Sequence, residues 1–202
     1  MADICILQIC AGAIRVECVH SLLNAARMTE PSCDVMIRPA GPYLDAERNA
    51  LWEIAMEAST ADWFVWVDSD IGFTKDDLLK VTDSIQHPVT FGVYFSSLPS
   101  GYGPVVYDWK HGEFEPITED RLKGKKRLRF DAVGAGFLAV HRSVAELLRD
   151  TYKGPSPWFD EPTLSAKKLG EDFGLCLRLR QLDIPVWVRP DVRVDHYKTM
   201  KL

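Results

Sequence analysis

The chain has 202 residues, a length that favours one compact domain over two. Apolar residues make up 47% of it, enough to fill the interior of such a domain, and this excludes a disordered or fibrous protein. Because 24 Lys and Arg stand against 29 Asp and Glu, the net charge of -5 argues against a protein that coats nucleic acid over its whole surface.

The cysteines and the first residues indicate a compartment. The five cysteines include no close C-x-x-C pair, and most lie in apolar company, where a thiol behaves as a small hydrophobic group. Asp3 stands where a secretory signal would carry positive charge, and the apolar run after it is too short to span a bilayer. We therefore expect a cytoplasmic protein with no membrane span.

In the first half of the chain, apolar runs alternate with amphipathic stretches, which is typical of β-α units that build a mostly parallel sheet. The predicted strands are Ile4–Cys10, 35–37, Trp63–Val67 and 89–95. The predicted helices cover 16–28, a segment capped by Asp45 that runs to 58, and a segment that begins at a capping box of Thr74 and Asp77 and runs to about 86.

The second half is less regular. From 96 to 129 the chain is rich in Gly, Pro, charged and aromatic residues, which predicts an irregular insertion with a hairpin at 109–114 and no helix. Strands follow at 130–133, Phe137–His141 and 186–188, with helices at 143–149 and 171–182. The sequence thus predicts a single α/β domain over 1–202, with a mostly parallel central sheet flanked by helices.

Two acids close the most apolar strand, Asp68 and Asp70 on either side of Ser69. Ligand sites in parallel sheets form at the C-terminal ends of the strands. Two carboxylates one residue apart can offer oxygen ligands to one Mg²⁺ or Mn²⁺ and leave coordination positions for the oxygens of a diphosphate. The alternative is an Asp that closes a turn without any metal.

Other candidates lie further along the chain. Arg48 and Asn49 lie at helix spacing from Asp45, and Gly170 precedes Glu171 and Asp172 at a predicted helix start. Acids in a first helical turn are also favoured by the helix dipole alone. The glycines of the Gly134-Ala135-Gly136 turn either let the backbone approach a ligand or form a tight turn between two strands.

Taken in chain order, the segments RN, WFVWVDSD, GAGF, GEDF and a C-terminal histidine resemble the GT-A glycosyltransferases, in particular those of family 2. The resemblance covers nearly the whole chain. It implies a Rossmann-like domain whose first half, to about residue 95, binds a nucleotide and whose second half, 96–202, faces the acceptor. It also implies metal-dependent transfer of a sugar from a nucleotide-sugar donor, with UDP favoured, to a hydroxyl group.

The resemblance assigns roles to particular residues. The nucleotide contacts it implies are Gln8, Ile9, Cys10, Ala11, Gly12, Asp45, Arg48, Asp68, Ser69 and Gly136. The ligands it implies for Mn²⁺ or Mg²⁺ are Asp70, Asp68 and His196, and the histidine requires the C-terminal tail to fold back over the site. Asp172, with Glu171 before it, matches the acid that serves as base in inverting members; in a retaining enzyme it would orient the substrate.

The chain also departs from the family pattern. It lacks the acceptor-binding Q-x-x-R-W element and the membrane helices of many family 2 members, so processive polymer synthesis is not expected. The turn after the first strand, CAGAIRVE, lacks the usual Pro-x-Tyr-Asn type sequence.

A basic segment, 121–129, holds six cationic residues in nine: Arg121, Lys123, Lys125, Lys126, Arg127 and Arg129. It is either a solvated loop or a contact for a phosphate backbone, an anionic lipid surface or a phosphorylated acceptor. Nearby aromatic residues that can stack on a sugar or a base are Tyr94, Phe95, Tyr102, Tyr107 and Trp109.

A small GT-A-like chain with a basic insertion is also similar to the compact enzymes by which bacteriophages glycosylate hydroxymethylated bases in their own DNA. That likeness implies a DNA acceptor held through the basic segment, with the base taken out of the stack, and a location in the host cytoplasm.

Two other classes of protein remain open. A nucleotide-sugar-forming nucleotidyltransferase would carry a Gly-rich basic turn after the first strand, where this chain has only Gly12 and Arg15. A non-catalytic nucleic-acid-binding module would leave the acids at the strand ends unexplained.

Overall fold

The computed structural model describes residues 3–164 and 166–197. The helices of this part are α1 (Val16–Ala26), α2 (Leu44–Ala58), α3 (Lys75–Val81), α4 (Arg142–Thr151) and α5 (Glu171–Gln181). The strands are β1 (Ile4–Cys10), β2 (Cys33–Pro39), β3 (Trp63–Val67), β4 (Ile71–Gly72), β5 (Val89–Val93), β6 (Phe95–Leu98), β7 (Gly101–Pro104), β8 (Val106–Lys110), β9 (Glu113–Pro116), β10 (Leu128–Phe130), β11 (Ala132–Val133), β12 (Phe137–His141), β13 (Thr163–Leu164), β14 (Lys167–Lys168), β15 (Val186–Arg193) and β16 (Asp195–His196).

A seven-stranded sheet in the order β10-β15-β5-β12-β3-β1-β2 forms the centre of the molecule. Strands β2, β1, β3, β5 and β15 run in one direction, while β12 and β10 run against it. The prediction of a mostly parallel α/β sheet is therefore confirmed. Because β1, β3 and β5 point the same way, their C-terminal ends meet at one edge of the sheet.

The core lies on both faces of this sheet. All five residues of β3 are buried, as expected of a strand covered on both sides. On one face Trp52 of α2 contacts Trp66 of β3 at a ring-centroid distance of 5.6 Å and stacks on Trp158 at 5.1 Å. This aromatic cluster holds α2 against the strand that leads into the acidic turn.

Several element boundaries differ from the prediction. Helix α3 ends at Val81 instead of about 86, where the Thr82 hydroxyl donates to the Leu78 carbonyl oxygen, a local bond that competes with continuation of the helix. Helix α2 begins at Leu44, so Asp45 lies in the first turn and is not the cap. Strand β5 ends at Val93 instead of 95 because the chain then turns into β6.

The insertion is more regular than the sequence indicates. Strands β6 and β7 form one hairpin, and β8 and β9 form a second that contains the predicted one at 109–114. A short 3-10 turn over Glu119–Arg121 also interrupts the segment predicted to have no helix. Within the described residues, no helix is both long and apolar enough to cross a bilayer. All five cysteines, which lie in that part, are free thiols.

Candidate active site

A cavity of about 460 Å³ opens beyond the C-terminal ends of β1, β3 and β5. Nine of the predicted site residues line it: Ile9, Ala11, Arg48, Asp68, Ser69, Asp70, Glu171, Asp172 and His196. They come from both halves of the chain, since the last three follow residue 96. The cavity is thus the place where the sequence-predicted residues converge.

Arg48 links the two halves of the cavity wall. Its Nη2 donates to Oδ1 of Asp68 at 3.0 Å, and its Nε lies 3.4 Å from Oε1 of Glu171. Asp68 directly follows β3, whereas Glu171 begins α5. A single guanidinium therefore neutralises an acid from each half.

The surroundings of Arg48 hold its planar group in place. Only 6% of its side chain is exposed, and its guanidinium carbon lies 5.2 Å from the ring centroids of both Trp66 and Phe159. The face of an aromatic ring attracts a cation that lies above it, so these two contacts stabilise the charged guanidinium. The buried Nη1 has no hydrogen-bond partner among the described residues. Because a buried donor without a partner is costly, an acceptor atom of a ligand that reached Nη1 would stabilise this side chain.

The C-terminal tail folds back over the acidic turn, as the prediction for His196 required. Strand β16 pairs with β4, which follows Asp70 directly, and the amide of Tyr197 donates to the Asp70 carbonyl oxygen at 2.8 Å. This pairing places Nε2 of His196 3.2 Å from Oδ2 of Asp70. Two residues far apart in the sequence are thereby brought side by side.

The donor atoms of this pair fit a divalent cation. His196 Nδ1 lies 2.8 Å from the carbonyl oxygen of Phe95, which can only accept, so Nδ1 carries the hydrogen. Nε2 lies next to the Asp70 carboxylate, so this nitrogen and that carboxylate could both bind one divalent cation. Within residues 3–164 and 166–197, however, no three His, Cys, Asp or Glu side chains form a metal-binding group. The third predicted ligand, Asp68, is paired with Arg48 instead.

Asp172 lies in the first turn of α5, as predicted, and lines the cavity. Burial, with a smaller contribution from Glu171, raises the pKa of its carboxyl to about 7. Two phenols share its surroundings. Burial, with Asp68 and Asp172 nearby, raises the pKa of Tyr94 well above its usual value, and burial together with Asp172 raises that of Tyr107 to about 12. Asp172 therefore titrates near neutral pH, whereas the two phenols stay protonated.

The glycines of the Gly134-Ala135-Gly136 turn serve packing. A Cβ at Gly136 would lie 2.8 Å from Oδ2 of Asp68 and 2.9 Å from the ring of Tyr94. A Cβ at Gly134 would clash with the Tyr94 hydroxyl. Small residues here let Tyr94 and Asp68 pack beside the turn. Ala135, between them, lines the cavity.

Five predicted nucleotide contacts do not line the cavity: Gln8, Cys10, Gly12, Asp45 and Gly136. Gln8 is fully buried, where its amide nitrogen lies 3.1 Å from the Cys18 sulfur and 3.5 Å from the Asp68 carbonyl oxygen. Its contacts support the backbone of the acidic turn from behind. The sequence could not indicate this position, because both faces of β1 are covered and polarity does not show which side a residue of β1 faces.

The cavity also includes Tyr94 and Tyr107, which the sequence offered as stacking residues, and five residues that the site prediction lacked: Leu44, Ser96, Leu98, Val105 and Ala135. The two tyrosines were predicted as stacking residues because an aromatic ring can pack on a sugar or a base. Of these five, Ser96 and Leu98 belong to the β6-β7 hairpin and Val105 links the two hairpins, in a segment where no periodicity marks an inward face.

Asn49, next to Arg48, has a structural role. It is 2% exposed, and its Nδ2 donates to the carbonyl oxygens of Asp45 and Phe159, each at 2.7 Å. Its Oδ1 accepts from the amides of Trp158 at 3.1 Å and Phe159 at 3.2 Å. One side chain thus fastens the 158–159 segment, whose Phe159 ring supports Arg48, to helix α2.

The basic segment lies away from the cavity, since none of its six cations lines it. Three of them pair with acids of this chain: Arg121 with Asp108, Lys123 with Asp120, and Arg127 with Asp83. The remaining three, Lys125, Lys126 and Arg129, are exposed and make no ion pair with the described residues. Half of the segment's charge is therefore compensated within the protein.

Similarity to known proteins is structural. No model of a known protein family matches this sequence, and neither does any curated protein. Among solved structures, the crystal structure of A197 from STIV superposes with a TM-score of 0.57 at 17% identity, covering 99% of this chain and 98% of that one. The structure of GalNAc-T7 with UDP, GalNAc and Mn²⁺ superposes with a TM-score of 0.65 at 14% identity, covering 100% of this chain and 45% of that one.

The chain has a GT-A-like glycosyltransferase fold. At these identities the likeness concerns the fold, and the chemistry has to be argued from the site. In this GT-A-like domain, the acidic turn after β3, the start of α5 and the returning tail surround one cavity.

Proposed function

We propose that the protein transfers a sugar from a nucleotide-sugar donor, with UDP-sugars the first choice, to a hydroxyl acceptor. The observation that carries this proposal is the convergence of Arg48, Asp70, Asp172 and His196 on one cavity of a GT-A-like fold. The GalNAc-T7 neighbour was crystallised with UDP, GalNAc and Mn²⁺, which supports the choice of donor and metal.

Arg48 is proposed to bind the anionic part of the donor. It is a buried cation whose Nη1 has no partner among the described residues, and it lines the cavity. Guanidinium groups bind phosphate and carboxylate oxygens through two parallel hydrogen bonds. Glu171 is proposed as a positioning residue, because its carboxylate lies against Nε of Arg48.

Asp70 and His196 are the residues that would hold Mn²⁺ or Mg²⁺. Such an ion, when bound, supplies positive charge that stabilises the leaving diphosphate. Asp68 is proposed to act through Arg48, since its carboxylate is paired there.

Asp172 is proposed as the general base. The acceptor hydroxyl loses its proton to the carboxylate as its oxygen bonds to the anomeric carbon, while the bond from that carbon to the diphosphate oxygen breaks and the electron pair leaves with the diphosphate. A base works best when its pKa lies near the operating pH, and the pKa of Asp172 is raised to about 7. Direct attack of this kind inverts the anomeric configuration, which proton NMR of the product reads out.

A thermal-shift screen of UDP, GDP, dTDP and ADP, with and without Mn²⁺, tests the proposal. We expect one diphosphate to raise the Tm only when Mn²⁺ is present, because a ligand stabilises the state that binds it. Asp70→Ala should abolish this shift, whereas Asp120→Ala, at an exposed acid outside the cavity, should retain it. Absence of any shift, or an equal shift in Asp70→Ala, contradicts the proposal.

The same proteins separate the alternatives. A nucleotidyltransferase would join UTP to a sugar 1-phosphate and release pyrophosphate, and we expect no release of pyrophosphate.

A hydroxymethylated base in phage DNA is the acceptor that the basic segment suggested. It is tested with radiolabelled nucleotide sugars and DNA containing hydroxymethyluracil or hydroxymethylcytosine at low salt. Label on DNA would establish that acceptor, and its absence rejects it.

A further inference from the structure

A second cavity, of about 540 Å³, lies on the β6-β7 hairpin. We name it the hairpin groove and define it by Phe95, Leu98, Tyr102, Thr118, Glu119 and Arg193. The nucleotide and metal proposals use none of these side chains. Its volume is within the range of small-ligand sites.

The groove contains a layered aromatic platform. Tyr102 and Phe95 lie diagonally across the hairpin, with ring centroids 6.0 Å apart and planes 24° from parallel. The guanidinium of Arg193 lies 5.5 Å from the Phe95 ring on β6. Tyr102 is 76% exposed, so its ring offers an open apolar face with a hydroxyl at one edge. An exposed aromatic ring held by a stacked neighbour is preorganised for a flat ligand.

The hairpin groove adjoins the candidate active site. Leu98 lines both cavities, and the carbonyl oxygen of Phe95 accepts from Nδ1 of His196. A molecule that occupies the groove therefore lies beside the cavity in which Asp172 and Asp70 are found. This is where the acceptor of a transfer reaction has to bind.

The charges of the groove cancel. Its two charged residues are Arg193 and Glu119, and Nη1 of Arg193 donates to Oε1 of Glu119 at 2.8 Å. The pair leaves no net field to attract a polyanion, and the unpaired cations of the basic segment do not line the groove. A carboxylate, a guanidinium and the Thr118 hydroxyl together offer both donors and acceptors, as neighbouring hydroxyl groups require.

We propose that the hairpin groove is the acceptor site and that it binds a neutral saccharide, whose apolar C–H face packs on Tyr102 while its hydroxyl groups bond to the Arg193–Glu119 pair. This inference rests on the function proposed above and names its substrate class. It favours a sugar over DNA, because apolar faces and paired charges suit a neutral ligand that is rich in hydroxyl groups.

Ligand-observed NMR tests the inference without any turnover. The probes are the methyl glycosides of glucose, galactose, mannose, N-acetylglucosamine and N-acetylgalactosamine, and saturation transfer from protein to ring protons reports binding. We expect at least one probe to bind the full chain. Tyr102→Ala should weaken that binding about fivefold or more, whereas Tyr102→Phe, which keeps the ring, should stay within about twofold. Tyr43→Ala is the matched control, because Tyr43 is 70% exposed and lies outside the groove.

The outcomes separate this inference from the proposed function. UDP binding with Mn²⁺ but no binding of any glycoside overturns the saccharide acceptor and leaves the transferase proposal standing. Glycoside binding that is equal in wild type and Tyr102→Ala overturns the location, provided that the variant keeps its wild-type Tm. Glycoside binding without any diphosphate binding contradicts the transferase and leaves a saccharide-binding groove. A single-stranded DNA oligomer that displaces the bound glycoside at low salt would overturn the choice of a neutral ligand.

Discussion

His196 Nε2 lies 3.2 Å from Oδ2 of Asp70 because the last described strand, β16, pairs with the two-residue strand that follows the acidic turn. The backbone, and not the side chains alone, brings these groups together. The Tyr197 amide closes the arrangement on the Asp70 carbonyl oxygen. The donor pair is therefore formed by the fold before any ligand binds. We make four predictions, for this pair, for Arg48, for Asp172 and for Asn49.

His196→Ala is expected to weaken Mn²⁺ binding in the presence of UDP by at least about tenfold, because loss of outer-shell partners alone costs that much at metal sites. Isothermal titration with Mn²⁺ measures it. His20→Ala, an exposed histidine on α1, is the control and should bind Mn²⁺ like the wild type. Equal Mn²⁺ affinity in both variants would show that His196 is no ligand.

Arg48→Ala is expected to lower the free energy of unfolding by about 3 kcal/mol, because it leaves partly buried carboxylates without their cation. Urea denaturation measures this change. Arg149→Ala removes an exposed ion pair with Glu53 and should cost less than about 1 kcal/mol. Similar losses in the two variants would mean that Arg48 has no special structural role.

The raised pKa of Asp172 predicts two opposite pH dependences. Between about pH 4 and pH 7 the native state keeps a proton that the unfolded state releases, so the stability that this group contributes is largest at low pH and is lost as the pH rises through about 7. Transfer activity should rise over the same range, because a general base acts only when deprotonated.

Asp172→Asn tests both dependences. It should flatten the fall of unfolding free energy between pH 4 and pH 8 and abolish transfer. Asp150→Asn, at an acid with 71% side-chain exposure, should leave the wild-type pH profiles of stability and activity. A pH-rate profile that is flat from pH 5 to pH 8 in the wild type would argue against Asp172 as the base.

Asn49→Ala is expected to destabilise the protein by about 2–4 kcal/mol, because it leaves buried amides and carbonyl oxygens of the 158–159 segment without partners. Chemical denaturation measures the loss, and hydrogen exchange should localise it to the amides of Trp158 and Phe159. Asn24→Ala, at an exposed position of α1, is the matched control and should change stability by less than about 0.5 kcal/mol.

The parts of the fold that the sequence predicts are those governed by local pattern. The fully apolar Trp63–Val67 strand, the acids after it and the acidic start of α5 are each readable within a few residues. Their convergence then follows from the rule that parallel strands end at one edge. The position of β12 between β3 and β5 does not follow, because strand pairing at long sequence separation leaves no local pattern.

In the candidate site, too, the residues that the sequence predicts are those marked by a local pattern or by the family resemblance. Asp68 and Asp70 are recognisable because they end a buried strand, and His196 because of the family resemblance. Gln8 was assigned to the nucleotide, yet it packs behind the turn, since a strand covered on both faces has no polar side to indicate direction. Leu98, at the end of β6, and Val105, between β7 and β8, were absent from the prediction because tertiary contacts position them and no local pattern does.

Strand β12 lies antiparallel between β3 and β5, although it is synthesised after both of them. While a ribosome has made only the first 95 residues, neither of those strands can complete its hydrogen bonds, and each presents a bare edge to other chains. The first 95 residues are thus exposed to aggregation until Phe137–His141 has been made and has paired with both strands, and the other edge of β5 stays open until β15 follows. Slower translation of the hairpins would lengthen that vulnerable interval, and a chaperone that shields strand edges would shorten it.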